Sequence, residues 1–311
     1  MTDMTVITGN KNITHNKGLT DDLYKRFIAY VDAKPKTVQT YTRALRQLFL
    51  YFTEQGTQRP ERADILAYRD YLLQTKKAAT VQAYIVAARL FFQWTEQEGL
   101  YPNIAARIKG AKISKDHKKD YLSSSQMKQV LQSIQQNTEK GLRDYAILAL
   151  MVTGGLRTIE VTRANIEDLR TAGDSAVLYI QGKGKDEKAD YVKLPAPVDR
   201  AIRAYLSERG ALSGPLFTST SHNNQGQGMT TKSISSIVKN RLREAGFNSD
   251  RLTAHSLRHT AGTLNLLNGG TLEETQQLLR HNSISTTMIY LHHINRANNM
   301  SENRIAGAVF A

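Results

Sequence analysis

The densest concentration of chemistry in the chain lies in the stretch that opens TAHSLRHTAG at Thr253 and ends just past Tyr290. Within it, His255, Arg258 and His259 stand at i, i+3 and i+4, a spacing that projects all three from one face of a helix. An arginine and two imidazoles on one face form a cationic site able to grip an oxyanion. His281 and Tyr290 follow further along. A phenol has an ordinary pKa of about 10, so it attacks an electrophile only if a neighbouring base takes its proton and cations steady the charge that develops. Taken alone, Tyr290 is an ordinary helical tyrosine; the residues around it supply its case.

A metal reading is weak. His255 and His259 have the i, i+4 spacing of a zinc-binding helix, but no Glu follows the first histidine and Arg258 would repel a cation between them. The chain has no cysteine, which excludes disulfides, thiolate zinc sites and cysteine nucleophiles. No metal and no cofactor are expected.

Capping signals define the elements that must position these groups. Thr253 can cap a helix running to Gly269. Thr271 and Glu274 form a capping-box pattern that opens LEETQQLL, which stops before His281. A further helix, opened near Ser285 or Thr286, carries Tyr290. Upstream, helices are expected near 124 to 136, 142 to 153 and 158 to 164. Ala176 to Ile180 and Tyr191 to Leu194 flank QGKGKDEKAD and read as a β-hairpin with a long, glycine-containing turn.

Residues 1 to 18 are polar and aperiodic and read as a tail. From 19 to 106 the apolar residues recur at spacings of three and four, as in Leu23, Phe27, Ile28 and Val31, which predicts a domain of four or five helices. Two stretches inside it, TVQTY leading to FTEQG and TVQAY leading to WTEQ, read as two similar amphipathic helices. Residues 107 to 121 form a basic linker, in which Lys109, Lys112, Lys115, Lys118 and Lys119 are candidates to cross a phosphate backbone. Residues 122 to 311 form a second, mixed domain.

Forty-two Lys and Arg against 28 Asp and Glu give a formal charge of +14, which favours a polyanionic partner. No run of about 18 apolar residues is present, and the N-terminal stretch lacks the apolar region of a signal peptide, so a soluble, cytoplasmic protein is expected.

At this point HSLRHTAG followed by LLRHNSISTTMIY resembles the C-terminal signature of the tyrosine site-specific recombinases of the phage-integrase family. The resemblance implies catalytic roles for His255, Arg258, His281 and Tyr290. TGGLRTIEV resembles the family's first arginine box and implies a clamp role for Arg157 with Glu160 in support. The GKGK turn resembles the family's hairpin lysine and implies Lys183, with Lys185 and Lys188 as alternatives. Arg280 departs from the pattern, since many members carry glycine before this histidine.

The family implies a SAM-like helical core-binding domain, a basic linker and a mixed α+β catalytic domain. It further implies strand cleavage and rejoining through a 3′-phosphotyrosyl intermediate, double-stranded DNA with inverted half-sites, and a homo-tetramer in synapsis that is a monomer or dimer when free. An accessory directionality protein is a candidate partner, and nucleoid association is expected. The short N-terminal tail implies the compact Xer and Cre type, without a separate arm-binding domain. The tail MSENRIAGAVFA could dock on its own domain or on a neighbouring protomer. Rival readings are a catalytically silent DNA-binding protein, a type IB topoisomerase and a zinc-dependent hydrolase.

Overall fold

A computed structural model describes residues 21–112, 120–182, 184–297 and 299–310. The chain divides into two compact units, Met1–Asp116 and His117–Ala311.

The first unit contains α1 (Asp21–Tyr30), α2 (Pro35–Glu54), α3 (Arg62–Thr75) and α4 (Ala78–Gln97). The two related stretches become α2 and α4, which pack against each other. Each is followed by a glycine in the left-handed region, Gly56 and Gly99, both at φ 66°. This is the conformation that releases a chain from a helix and that glycine adopts without a β-carbon clash. Their shared face buries Leu45, Leu48, Phe91 and Phe92 against Phe27, Ile65 and Leu72. Phe27 and Phe49 both meet Phe91 edge to face, at 5.4 and 5.5 Å. Ile108, inside the stretch read as linker, is buried in this same core.

The second unit opens with α5 (Ser124–Gln132), α6 (Glu139–Gly154) and α7 (Thr158–Thr162). A sheet of β1 (Leu169–Ala172), β2 (Ser175–Ile180) and β3 (Asp190–Lys193) follows, then α8 (Ala196–Arg209) and α9 (Thr231–Glu244). The chain continues through α10 (Ala254–Leu267), α11 (Leu272–Leu279), α12 (Ile284–Ala297) and α13 (Ser301–Phe310). The sheet is antiparallel in the order β1-β2-β3, with Leu178 opposite both Leu169 and Val192. The hairpin expectation describes β2 and β3; β1 is additional, and its four residues are too short and too polar to carry an alternating pattern. α13 is additional too.

α6 is the spine of this unit. Ile147, Leu148, Leu150 and Met151 are buried on it, and both α8 and α10 pack against it. α10 is buried almost continuously from Ala254 to Thr263, apart from His255. A helix buried on most of its faces is held by its neighbours rather than by one apolar stripe, so its polar side chains acquire fixed positions. The architecture is mainly helical with a small sheet, as the sequence implies.

Candidate active site

The corner between α6 and α7 supplies the first part of the site. Gly155 ends α6 at φ 58°, and a β-carbon there would lie 2.7 Å from Leu279 Cδ2, so both conformation and space require glycine. Arg157 then caps α7. Its backbone N–H donates to Glu160 Oε2 at 2.8 Å, and its guanidinium donates to Glu160 Oε1 at 2.7 Å. Glu160 is fully buried. Burial pushes its carboxyl up, but the charge of Arg280 and the hydrogen bonds and charge from Arg157 outweigh this and hold it below the ordinary carboxylate range.

α10 carries the second arginine inward. Arg258 is 1% exposed and donates through Nη1 to the Gly155 carbonyl at 2.6 Å and through Nη2 to the Leu279 carbonyl. Burial, then repulsion from Arg157, lowers it to about 9, which leaves it a cation at neutral pH. The two carbonyls fix the plane of the fork, while its other N–H groups can serve an oxyanion.

The α11–α12 corner supplies the remainder. The capping box forms as expected: Glu274 N–H donates to Thr271 Oγ1 at 3.1 Å, and Thr271 N–H to Glu274 Oε2 at 2.7 Å. α11 ends at Arg280, and His281 follows with its Nδ1 2.9 Å from the hydroxyl of Thr287, a fully buried residue on α12. Tyr290, 4% exposed, lies under His281 with the rings nearly parallel at 10° and 6.3 Å between centroids. Gly262 on α10 makes room for it, because a β-carbon there would sit 3.3 Å from Tyr290 Cζ.

Electrostatics separate the two rings. Burial, then the charges of Arg258 and Arg157, pushes His281 down to about 4, so it is neutral at pH 7. Burial raises the Tyr290 phenol to about 12, while Arg258 and Arg157 pull the other way. An anionic ligand between the arginines and the phenol therefore meets a neutral imidazole and a protonated tyrosine.

Arg157, Glu160, Arg258, His281 and Tyr290 thus come together from four segments. His255 is exposed at the edge of α10. Its ring meets that of His259 at 4.7 Å, and His259 in turn meets Tyr290 at 5.2 Å. Of the two α10 imidazoles, His259 is the one packed on the tyrosine. Lys183 lies outside the described residues. Of the alternatives, Lys185 donates to Asp190 Oδ2 at 2.7 Å and Lys188 is paired with the buried Asp168. Lys109 and Lys112 are exposed; Lys115, Lys118 and Lys119 lie outside the described residues.

Sequence reasoning passed over Thr287 and Gly262. The TTMIY run offers two adjacent threonines, and only packing distinguishes the one that faces His281. Gly262 sits in mid-helix, where glycine is unfavourable, and that local cost was a readable sign of close approach. Among the described residues no cluster of three or more His, Asp or Glu could hold a metal ion. Among them too, no helix is long and apolar enough to cross a membrane.

The fold matches that of XerH site-specific recombinase bound to palindromic difH substrate in a post-cleavage complex, with a TM-score of 0.71 at 22% identity over 90% of this chain and 84% of that one. It also matches a lambda integrase tetramer bound to a Holliday junction, with a TM-score of 0.66 at 16% identity over 86% of this chain and 76% of the other. Residues 120–296 match the model of the phage integrase family, and residues 22–99 match the phage integrase N-terminal SAM-like domain. The tyrosine recombinase XerD of Listeria monocytogenes serotype 4b (strain F2365) is 30% identical over 285 residues, covering 88% of this chain and 94% of that protein. The chain belongs to the phage integrase family. It is a tyrosine recombinase, an enzyme of site-specific recombination that cleaves and rejoins DNA strands.

Proposed function

We propose that Tyr290 is the nucleophile, and that its burial beside His281 within electrostatic reach of Arg157 and Arg258 carries the assignment. The phenolic oxygen attacks the scissile phosphorus as its proton passes to His255, acting as general base or relay. Arg157 and Arg258 donate to the nonbridging oxygens and balance the charge of the pentacoordinate transition state. Neutral His281 donates a hydrogen bond to the same phosphate, and Glu160 braces Arg157.

Lys183 protonates the departing 5′ oxygen; the carboxylate partners of Lys185 and Lys188 favour it over those two. The products are a 3′-phosphotyrosyl protein and a 5′ hydroxyl. Attack by a 5′ hydroxyl from another strand reverses the step and joins the new partner, with the bond energy retained throughout. No external energy source is required.

A nicked suicide duplex carrying the protein's own site tests this reading, because loss of the short 5′ fragment traps the adduct. Wild type is expected to form a 3′-phosphotyrosyl adduct and Tyr290→Phe none. Equal adduct yield from the two proteins would sink the assignment.

The wider reading has residues 19–106 and 122–311 as core-binding and catalytic domains joined by the basic linker 107–121, whose lysines contact phosphates. The substrate is duplex DNA with inverted half-sites, bound by a synaptic homo-tetramer and, in one direction of reaction, aided by an accessory directionality protein. The Holliday-junction tetramer formed by lambda integrase supports this stoichiometry. So does α13, which has no buried residue and exposes Ile305, Val309 and Phe310, an apolar face suited to a second copy. Cytoplasmic, nucleoid-associated action follows from the DNA substrate.

A further inference from the structure

Arg280 stands where the family resemblance leads one to expect glycine, and its backbone is still that of a glycine position, at φ 52° and ψ 51°. A residue with a β-carbon adopts this left-handed conformation only when other contacts hold it there. Those contacts are present. The guanidinium turns inward, 12% exposed, and Nη1 donates to the carbonyls of Leu278 at 2.6 Å and Gly154 at 3.2 Å. Nη2 donates to the Gly155 carbonyl at 3.2 Å and to Glu160 Oε2 at 2.9 Å. One side chain thereby ties the corner that presents His281 to the corner that presents Arg157.

The charge arrangement gives this tie a consequence. Glu160 is fully buried, and its two oxygens are divided between two guanidiniums, with Oε1 bound to Arg157 and Oε2 to Arg280. If Arg157 were the sole cation beside this carboxylate, the pair would be close to neutral and Arg157 would have little charge left for a ligand. With Arg280 present, two guanidiniums share the one carboxylate and the cluster keeps a positive excess to meet a phosphate.

We propose that Arg280 is a positioning residue that neutralises Glu160 and fixes it in place, so that Arg157 keeps both its orientation and its charge for the scissile phosphate. The proposal rests on the reading of Arg157 as a phosphate clamp. It explains why a strained arginine is held at a position that glycine would occupy freely: the side chain acts on the opposite wall of the site.

The test measures single-turnover adduct formation on the nicked suicide duplex at saturating protein, with DNA affinity and thermal midpoint followed in parallel. Arg280→Gly suits the left-handed backbone and should fold, and Arg280→Lys keeps the charge in the same strained conformation. Arg280→Gly is expected to slow cleavage by about tenfold to a hundredfold, in line with the cost of a misplaced catalytic group. DNA affinity should change much less, and Arg280→Lys should recover part of the rate. In a Glu160→Gln background, where no carboxylate needs neutralising, Arg280→Gly should have little further effect. A wild-type rate for Arg280→Gly would overturn the proposal, as would losses from Arg280→Gly and Glu160→Gln that multiply. Arg157→Ala separates the two readings: wild-type cleavage by that variant removes the clamp itself, whereas an inactive Arg157→Ala beside a fully active Arg280→Gly removes only the role of Arg280.

Discussion

Replacing Gly262 by alanine puts the packing of the nucleophile to a direct test. The added β-carbon would lie 2.9 Å from Leu279 Cδ1 and 3.3 and 3.4 Å from Tyr290 Cζ and Cε1. Comfortable carbon contacts begin near 3.5 Å, so the tyrosine ring must retreat by about 0.2 Å and the Leu279 methyl by more. Two stability terms then oppose each other. Alanine in place of a mid-helix glycine gains about 1 kcal/mol of helix propensity, while crowding a closed core costs about 1 to 3 kcal/mol.

The net change in stability is therefore a loss of about 0 to 2 kcal/mol, and a thermal midpoint at or a few degrees below that of wild type is expected. Activity should not follow stability. Cζ carries the phenolic oxygen, so pushing the ring at that atom moves the nucleophile itself, and a shift of this size at the reacting atom costs about two- to fivefold in rate. Adduct formation on the suicide duplex, read beside a melting curve, separates the two effects. A Gly262→Ala protein that melts at or above the wild-type temperature and cleaves at the wild-type rate would refute the reasoning, because the tyrosine would then have room the structure does not give it.

Other measurements reach the remaining parts of the site. Lys183→Ala is expected to cleave an ordinary phosphodiester about a hundredfold more slowly or worse, and to recover on a 5′-bridging phosphorothiolate, whose thiolate leaves without a proton; no recovery would remove the general-acid role. Thr287→Val keeps the shape but removes the hydroxyl bound to His281, so it should slow cleavage by about tenfold and alter the nitrogen resonances of the His281 ring, with Thr287→Ser restoring both. Because His281 titrates near 6.5 when unfolded and about 4 when folded, the unfolded chain binds the proton first as pH falls. Stability should therefore drop through that window, and denaturant midpoints at pH 7 and pH 5 should differ less for His281→Gln than for wild type. Strand exchange should continue in EDTA at constant ionic strength, and its arrest would require a metal in the mechanism.

The parts of the site that were legible in the sequence are those whose geometry is local. Arg258 and His259 share a side of α10 with His255 because three and four residues make about one turn, and the capping box at Thr271 fixes where α11 starts. What was not legible depends on tertiary packing. Arg258 is fixed by the carbonyl of Gly155, 103 residues earlier, and no periodicity reports on that pairing. Periodicity likewise placed His255 and His259 on one helical face without saying which would lie against the tyrosine; packing puts His259 there and leaves His255 exposed at the edge. Arg280 could be recognised as a departure, but whether it pointed to solvent or to Glu160 depended on its rotamer and on a left-handed backbone.

The same packing explains why a site rich in positive charge can exist before DNA arrives. Burial and the charges of Arg157 and Arg280 lower the proton affinity of Arg258, burial and all three arginines lower that of His281, and Glu160 is the buried carboxylate among them. Such a cluster is held against its own repulsion by carbonyls at Gly154, Gly155, Leu278 and Leu279, all at the ends of helices, where unpaired carbonyls concentrate negative partial charge. These dipoles orient the guanidiniums without cancelling their charge, as carboxylates in the same positions would. Arg258 and Arg280 are thus placed by helix ends and left charged, Arg157 is held by Glu160, and a phosphate entering between the arginines relieves the repulsion that the folded protein sustains.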